Sequence, residues 1–254
     1  MRVALTILYL SLSCSLLKAQ PAKILRAGQI TFTKTVNLYA LGKKMSLPQN
    51  VYEDYKKNHQ QFLTLKSKLY FSGQQTVFVP DAVSNENEAA VFNNVPFPFA
   101  SQRNQVFTDW SSNSVTLQKK LLEDVVSMRD TIGKIKWKIT DEFRDVAGFS
   151  CRRANAIIMD SVYVVAFFTN EIHVSGGPES FTGLPGMILE VALPHLNVIW
   201  RATAVTENKG LADKKEFQKV DKPLDRKQLK EKVLLNIKSF QPPLRYLLLY
   251  DLLI

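Results

Sequence analysis

The sequence predicts an α+β chain, mostly β, built on one curved antiparallel sheet of half-barrel type with two or three peripheral helices. Three observations predict it. Short segments of alternating polar and apolar residues, rich in β-branched side chains, recur along the chain. Gly, Asn and Ser turns separate them. Helix signals are few and lie between or after the strand runs, so a βαβ order is excluded. No repeat of 20–50 residues and no low-complexity tract interrupts the pattern.

Residues 29–36, "QITFTKTV", alternate as a half-buried strand. Ser46 to Phe62 reads as a helix, with Ser46 at the cap, Pro48 in the first turn, and Leu47, Val51 and Tyr55 at four-residue spacing. Residues 63–71 and 76–79 flank Ser72-Gly73-Gln74-Gln75 and form a predicted hairpin. Residues 81–104 lack a regular pattern but hold Phe92, Phe97 and Phe99, which either pin a long loop to the body or make an aromatic lid over a cavity. Ser111-Ser112-Asn113 is a turn between two strand candidates, and residues 117–130 fit a helix or strands equally.

Ile135 to Ile139 alternates as a strand, Thr140-Asp141-Glu142 follows as a turn, and Gly148 marks a turn or bulge. Tyr163 to Val174 is a long apolar strand buried on both faces for part of its run. Met187–Leu193 and Ala202–Thr206 continue the sheet. Asp225 caps a basic helix carrying Leu229, Val233 and Ile237. The tail 244–254 is apolar apart from Arg245 and Asp251, too short to span a bilayer, and either docks on the body or presents a sticky surface.

Residues 1–19 read as a secretory signal peptide: Arg2, an apolar run from Val3 to Leu17, and a cut after Ala19. The expected mature chain, 20–254, is a single β-rich domain with no membrane span. Cys14 offers a lipoprotein alternative, although Ser11 stands where a large aliphatic residue is wanted. Cleavage leaves Cys151 as the one cysteine, so no internal disulfide forms and the fold rests on its core. Without Arg2 and Lys18 the 33 basic residues fall to 31 against 23 acids, a charge of +8. These bases are dispersed, and the runs Lys209–Lys222 and Arg226–Lys238 also contain acids, which argues against a nucleic-acid partner.

Enzyme signatures are missing: no G-x-S-x-G, P-loop, dinucleotide fingerprint, H-E-x-x-H or C-x-x-C occurs. Neither a cofactor, a resident metal nor a catalytic residue is expected. Glu171 and His173, two apart on a predicted strand, leave one face and with Glu190 or His195 make the only candidate acid–base or metal set; two solvent-facing polar residues explain them equally. Cys151 reads as a small buried hydrophobe, with a nucleophile based on His173 as the alternative. Trp110, Trp137 and Trp200 read as core anchors.

Gly177, Pro178, Gly183, Pro185 and Gly186 make a dense turn, with Pro185-Gly186 the signal of a type II corner. Phe181 and Leu184 are apolar side chains that such a corner does not need; they cap the sheet end or line a pocket rim. Met187 begins a strand instead of a helix, which removes the phosphate-cradle reading.

Gly183-Leu184-Pro185-Gly186-Met187-Ile188 resembles the signature of the GLPGLI family of exported Bacteroidetes proteins, with Met187 in place of leucine. The resemblance extends to Gly177-Pro178, Phe181, residues 166–169 with Glu171-Ile172, Trp137-Lys138-Ile139 and residues 148–154, and covers about 135–195. It implies a signal peptide and a place in the periplasm or on the surface of a Gram-negative cell, and it brings no activity with it. The long strands also look like the half-barrel of periplasmic lipoprotein carriers.

The resulting expectation is an exported, non-enzymatic envelope protein that holds a hydrophobic or lipid-like ligand on a curved sheet, with Phe181, Leu184, Pro185, Phe97 and Phe99 near the rim. One alternative is a structural module for an outer-membrane partner. The other is a metal binder or hydrolase using Glu171, His173 and Glu190.

Overall fold

The computed structural model describes residues 24–81, 91–92, 95–96, 98–101, 104–121, 124–207 and 222–254. The leader and Cys14 lie outside the described residues. The chain opens with β1 (Ala27–Asn37), α1 (Leu38–Lys44) and α2 (Gln49–Asn58), then the hairpin β2 (Phe62–Ser72) and β3 (Gln75–Pro80). The short pair β4 (Val91–Phe92) and β5 (Val95–Pro96) precedes β6 (Gln105–Asp109), β7 (Ser114–Leu121) and β8 (Asp124–Thr131). Then come β9 (Lys138–Val146), β10 (Phe149–Ile158), β11 (Val162–Thr169), β12 (Met187–Leu193), β13 (Val198–Glu207), α3 (Arg226–Asn236) and α4 (Pro242–Leu253).

One open sheet holds eleven of these strands in the order β8-β7-β6-β3-β2-β1-β13-β12-β11-β10-β9, every neighbouring pair antiparallel. With strands ~4.8 Å apart, a flat sheet of this size would be about 48 Å wide, beyond what one core covers. It curls instead. Residues from both halves, among them Phe32, Leu69, Leu117, Val164 and Trp200, share a single buried cluster.

The core face follows from strand periodicity. On β1, Ile30, Phe32 and Val36 are fully buried while their neighbours are half-exposed. The in-phase residue Lys34 is buried with them. On β7 the same phase carries Val115, Leu117 and then Lys119.

The two sheet edges differ. The outer edge of β8 is paired by Leu224, whose carbonyl accepts from Arg129 N–H at 2.9 Å and whose N–H donates to Ser127 O at 2.8 Å. The outer edge of β9 pairs with no strand among the described residues. It is guarded by Lys138, Asp141, Glu142, Arg144 and Asp145, charges that disfavour edge-to-edge growth.

Several elements differ from the sequence expectation, each for a local reason. The helix expected at Ser46 begins at Gln49 after Pro48, because Ser46 has φ +55 and turns the chain between two helices. The first of these, α1, carries its own cap, the Asn37 side chain accepting from Ala40 N–H at 3.1 Å. Residues 117–130 form strands, β7 and β8. Thr140-Asp141-Glu142 is the middle of β9 instead of a turn. As an edge strand β9 is exposed on both faces, and the in-out pattern is lost. β11 stops at Thr169, five residues short of Val174, because Ile172 leaves the ladder to bridge Leu25. Gly148 is a two-residue hairpin turn, with Ala147 at φ +50 and Gly148 at φ +83.

Asp225 caps α3 through a reciprocal pair: Gln228 N–H donates to its carboxylate at 2.8 Å and Asp225 N–H donates to Gln228 Oε1 at 2.9 Å. The apolar tail forms α4 and docks against the core through Leu247, Leu248 and Ile254. None of the described helices is long and apolar enough to cross a membrane.

Candidate functional site

Residues 170–186 leave β11 and cross the core face as a strap before entering β12. Indole N–H groups pin it from two sides: Trp110 Nε1 donates to Ser175 O at 2.7 Å and Trp137 Nε1 to Thr182 O at 2.9 Å. Ser175 Oγ accepts from Gly183 N–H at 3.1 Å, and Gly176 O accepts from Ile188 N–H at 2.8 Å. The corner itself is tighter than the type II turn the sequence predicts. Gly186 N–H donates to Leu184 O at 2.8 Å, a three-residue turn centred on Pro185. Gly186 has φ +148, and a Cβ there would lie 2.1 Å from Thr169 O, so only glycine lets the strap close on the end of β11.

Phe181 and Leu184 are buried in the core, Phe181 tilted against Trp200 with ring centroids 6.0 Å apart, while Pro185 is exposed. Gly177 and Pro178 are buried within the strap and Gly183 is exposed. Phe99 is buried, in a left-handed conformation at φ +63, and Phe97 lies outside the described residues.

Under the strap lies a feature the site expectations missed. Lys34, Lys119 and Glu179 are 2%, 3% and 4% exposed, and the half-buried Asp251 of α4 adds an opposite charge that acts on both lysines. Lys34 Nζ donates to Ser101 O at 3.1 Å and sits 5.1 Å from the Trp200 ring centroid and 5.6 Å from that of Phe99. Lys119 Nζ donates to the last carbonyls of α4, Leu252 O at 2.8 Å and Asp251 O at 3.2 Å. Glu179 Oε2 accepts from Asn104 Nδ2 at 2.8 Å, and the Asp251 carboxylate accepts from Phe99 N–H. Ser180 Oγ donates to Ile254 O at 2.7 Å, tying the strap to the end of the tail.

Burial pushes both carboxyls above, and both ammonium groups below, their ordinary values, while the opposite charges pull each partway back. The four formal charges cancel. Two further donors on the same face, Trp200 Nε1 and Ser67 Oγ, are buried without a hydrogen-bond partner among the described residues. They flank Lys34: Trp200 is its cross-strand partner on β13, and Ser67 opposes Phe32 on β2.

The other candidate residues do not converge on chemistry. His173 is exposed. Glu190 is buried and committed to two arginines, accepting from Arg144 at 2.7 Å and from Arg201 Nε at 2.5 Å. Cys151 is fully buried. Burial first, and then the charges of Glu171 and Glu190, push its thiol up to about 12. Among the described residues no group of three or more His, Cys, Asp or Glu is placed to hold a metal ion.

A signal for the missed cluster exists in the sequence. Lys34, Ser67 and Lys119 fall on the apolar phase of their strands, and Asp251 interrupts an otherwise apolar tail.

The fold and site define a mostly-β protein: an open antiparallel sheet with its C-terminal helix docked on the shared core, and charges of both signs where sheet, strap and helix meet. A family model described as a protein of unknown function (Porph_ging) matches residues 156–190, from β10 through the strap to Glu190, consistent with a family of Bacteroidetes proteins. No curated protein sequence matches the chain. Among solved structures it is similar to PNGF-II in a P21 crystal form (TM-score 0.52, 17% identity, 81% of this chain and 32% of that one). The C2 crystal form of PNGF-II is similar in the same way (TM-score 0.52, 16% identity, 78% and 30%). The likeness is one of fold, and this chain spans about a third of the length of the solved chains it matches.

Proposed function

We propose that this chain is an exported, non-enzymatic envelope protein of a Gram-negative bacterium, of GLPGLI type, that binds a hydrophobic or lipid-like ligand in the hollow of its curved sheet. One observation carries the reading. The core face of the sheet already takes a segment of that character: α4, apolar apart from Arg245 and Asp251, docks there through Leu247, Leu248 and Ile254. The leader-like residues 1–19 support export, and the turn at Gly183–Gly186 supports the family. Native mass spectrometry of protein purified from its own host tests this. A co-purifying lipid or other apolar small molecule is expected; a metal in fixed stoichiometry, or a partner chain with no small molecule, refutes it.

A second reading, a structural module for an outer-membrane partner, is favoured by the free edge of β9. There Phe143 and, on the adjoining strand, Ile157 are 61% and 64% exposed, and the outer side of β9 pairs with no strand among the described residues. A partner chain in the same spectra supports it. The metal or hydrolase reading is not favoured, because the Glu190 carboxylate is fully engaged by Arg144 and Arg201.

A further inference from the structure

Within the charged cluster one member differs from the rest. Lys34 and Lys119 project from interior strands of the sheet, and Glu179 sits in the pinned strap. Asp251 rides on α4, which is joined to α3 by the short connection of residues 237–241. Moving α4 aside breaks no strand pairing. It breaks the bonds from Lys119 to Asp251 O and Leu252 O, from Ser180 to Ile254 O, between Ser161 and the Tyr250 hydroxyl, and from Phe99 N–H to the carboxylate.

What stays behind is two ammonium groups against one carboxylate, a net positive charge. On the same core face lie hydrogen-bond donors: Lys34 Nζ, Lys119 Nζ, the Phe99 N–H, and Trp200 Nε1 and Ser67 Oγ, which have no partner among the described residues. Around them the wall is apolar, with Phe32, Leu65, Phe99 and Phe181 all buried. Donors with a surplus of one positive charge, set in an apolar wall, match a single anionic group attached to an apolar chain.

We infer that this cluster is the headgroup site for an anionic single-chain amphiphile, a carboxylate being the best fit, and that α4 with Asp251 occupies it as the chain's own stand-in for that ligand. The inference rests on the ligand-binding reading above and narrows it to one chemical class. An anion entering the cluster replaces the Asp251 carboxylate, so total charge is conserved while α4 is released. An uncharged amphiphile would leave the two lysines outnumbering Glu179 in a dry site, which is costly.

The test uses the full chain with oleate and its uncharged counterpart, oleyl alcohol, measured by calorimetry and by hydrogen exchange of residues 242–254. Asp251→Asn removes the internal competitor and is expected to tighten oleate binding by about tenfold while changing oleyl alcohol binding by less than about threefold. Oleate, and not the alcohol, is expected to speed exchange in 242–254 of the unsubstituted chain. Lys34→Met is expected to abolish the preference for oleate, and Lys34→Arg to keep part of it. The arginine variant serves as the folded control where Met destabilises the cluster. Equal gain for both probes in Asp251→Asn, or unchanged protection of α4 with oleate bound, overturns the anion site while leaving ligand binding intact. Binding of neither probe to any variant removes the ligand-binding reading itself.

Discussion

The strap corner offers the sharpest test of what the Gly-Leu-Pro-Gly turn is for. Gly186→Ala adds one methyl group at φ +148, where the new Cβ would stand 2.1 Å from Thr169 O, 2.9 Å from Thr169 C and 3.2 Å from Asn170 Cα. All three are backbone atoms at the end of β11, which pairs there with Met187, so no side chain can swing away to make room. Ordinary contact lies at about 3.5–4.0 Å. Relieving the overlap therefore means displacing a paired strand by more than about 1 Å, with an overpacking cost of about 1–3 kcal/mol. Holding a non-glycine residue in this backbone region adds about 1–3 kcal/mol.

The expected loss is thus about 2–6 kcal/mol. Gly73→Ala is the control: φ +58 on an exposed hairpin with nothing within 4 Å of the added Cβ, and an expected loss of about 1–2 kcal/mol. In urea, with a slope of about 2 kcal/mol per molar, the first variant should lower the midpoint by about 1–3 M and the second by about 0.5–1 M. A Gly186→Ala midpoint no lower than that of Gly73→Ala would refute the account, because the close approach to Thr169 would then not be what demands glycine. Loss of ligand binding with unchanged stability would be worse still for it, since the turn would then act by contact and not by shape.

Three other outcomes follow from the same geometry. With its thiol raised from 9.0 to about 12, Cys151 in the folded protein should react with a disulfide reagent at pH 8 on the order of a thousandfold more slowly than in denaturant, and fast labelling would revive the nucleophile reading. Glu190→Gln should cost about 1–2 kcal/mol, discounted because Arg144 and Arg201 are 44% and 54% exposed, and a double-mutant cycle with Arg201→Met should show coupling; additive losses would mean the pair contributes nothing. Asp251 and Glu179 hold their protons more tightly folded than unfolded, so their contribution to stability falls as pH rises above their ordinary values of 3.8 and 4.5. Denaturation between pH 4 and 7 should show a shallower decline for Asp251→Asn than for the unsubstituted chain; parallel curves would mean the carboxylate titrates as it does unfolded.

How much of this was legible depended on how local the determinant was. The alternation of residues 29–36, the Gly73 hairpin and the Asp225 cap are each decided within about ten residues, and each was read correctly. Tyr163–Val174 reads as one long strand because its apolar character continues past the end of the ladder. What ends the ladder at Thr169 is Gly186 and the bridge from Ile172 to Leu25, both distant in sequence. Thr140–Glu142 reads as a turn because an edge strand wet on both faces has no period to detect. The buried charges were half-visible. Lys34 and Lys119 violate the phase of their strands, but a lysine on an apolar phase more often marks an edge or a register change. The partner that explains Lys119 lies 132 residues further on.

The two halves of that cluster solve different problems for the tail. Apolar contacts are non-directional, so a helix lined with Leu247, Leu248, Leu249, Leu252 and Leu253 could seat in the hollow at several rotations with similar burial. Lys119 removes that freedom by taking the last carbonyls, where the negative end of the helix dipole favours a cation. Asp251 fixes the rotation by reaching the Phe99 N–H. An all-apolar contact of the same shape would hold the tail as firmly or more so, because desolvating charges offsets much of what they gain by pairing. Charges at this place are therefore poor evidence for strength and better evidence for choice. They admit one arrangement of the helix, and they admit in its place only something that brings the same charge. The tail, and not the turn for which the sequence is most conspicuous, is therefore where the proposed anion site is decided.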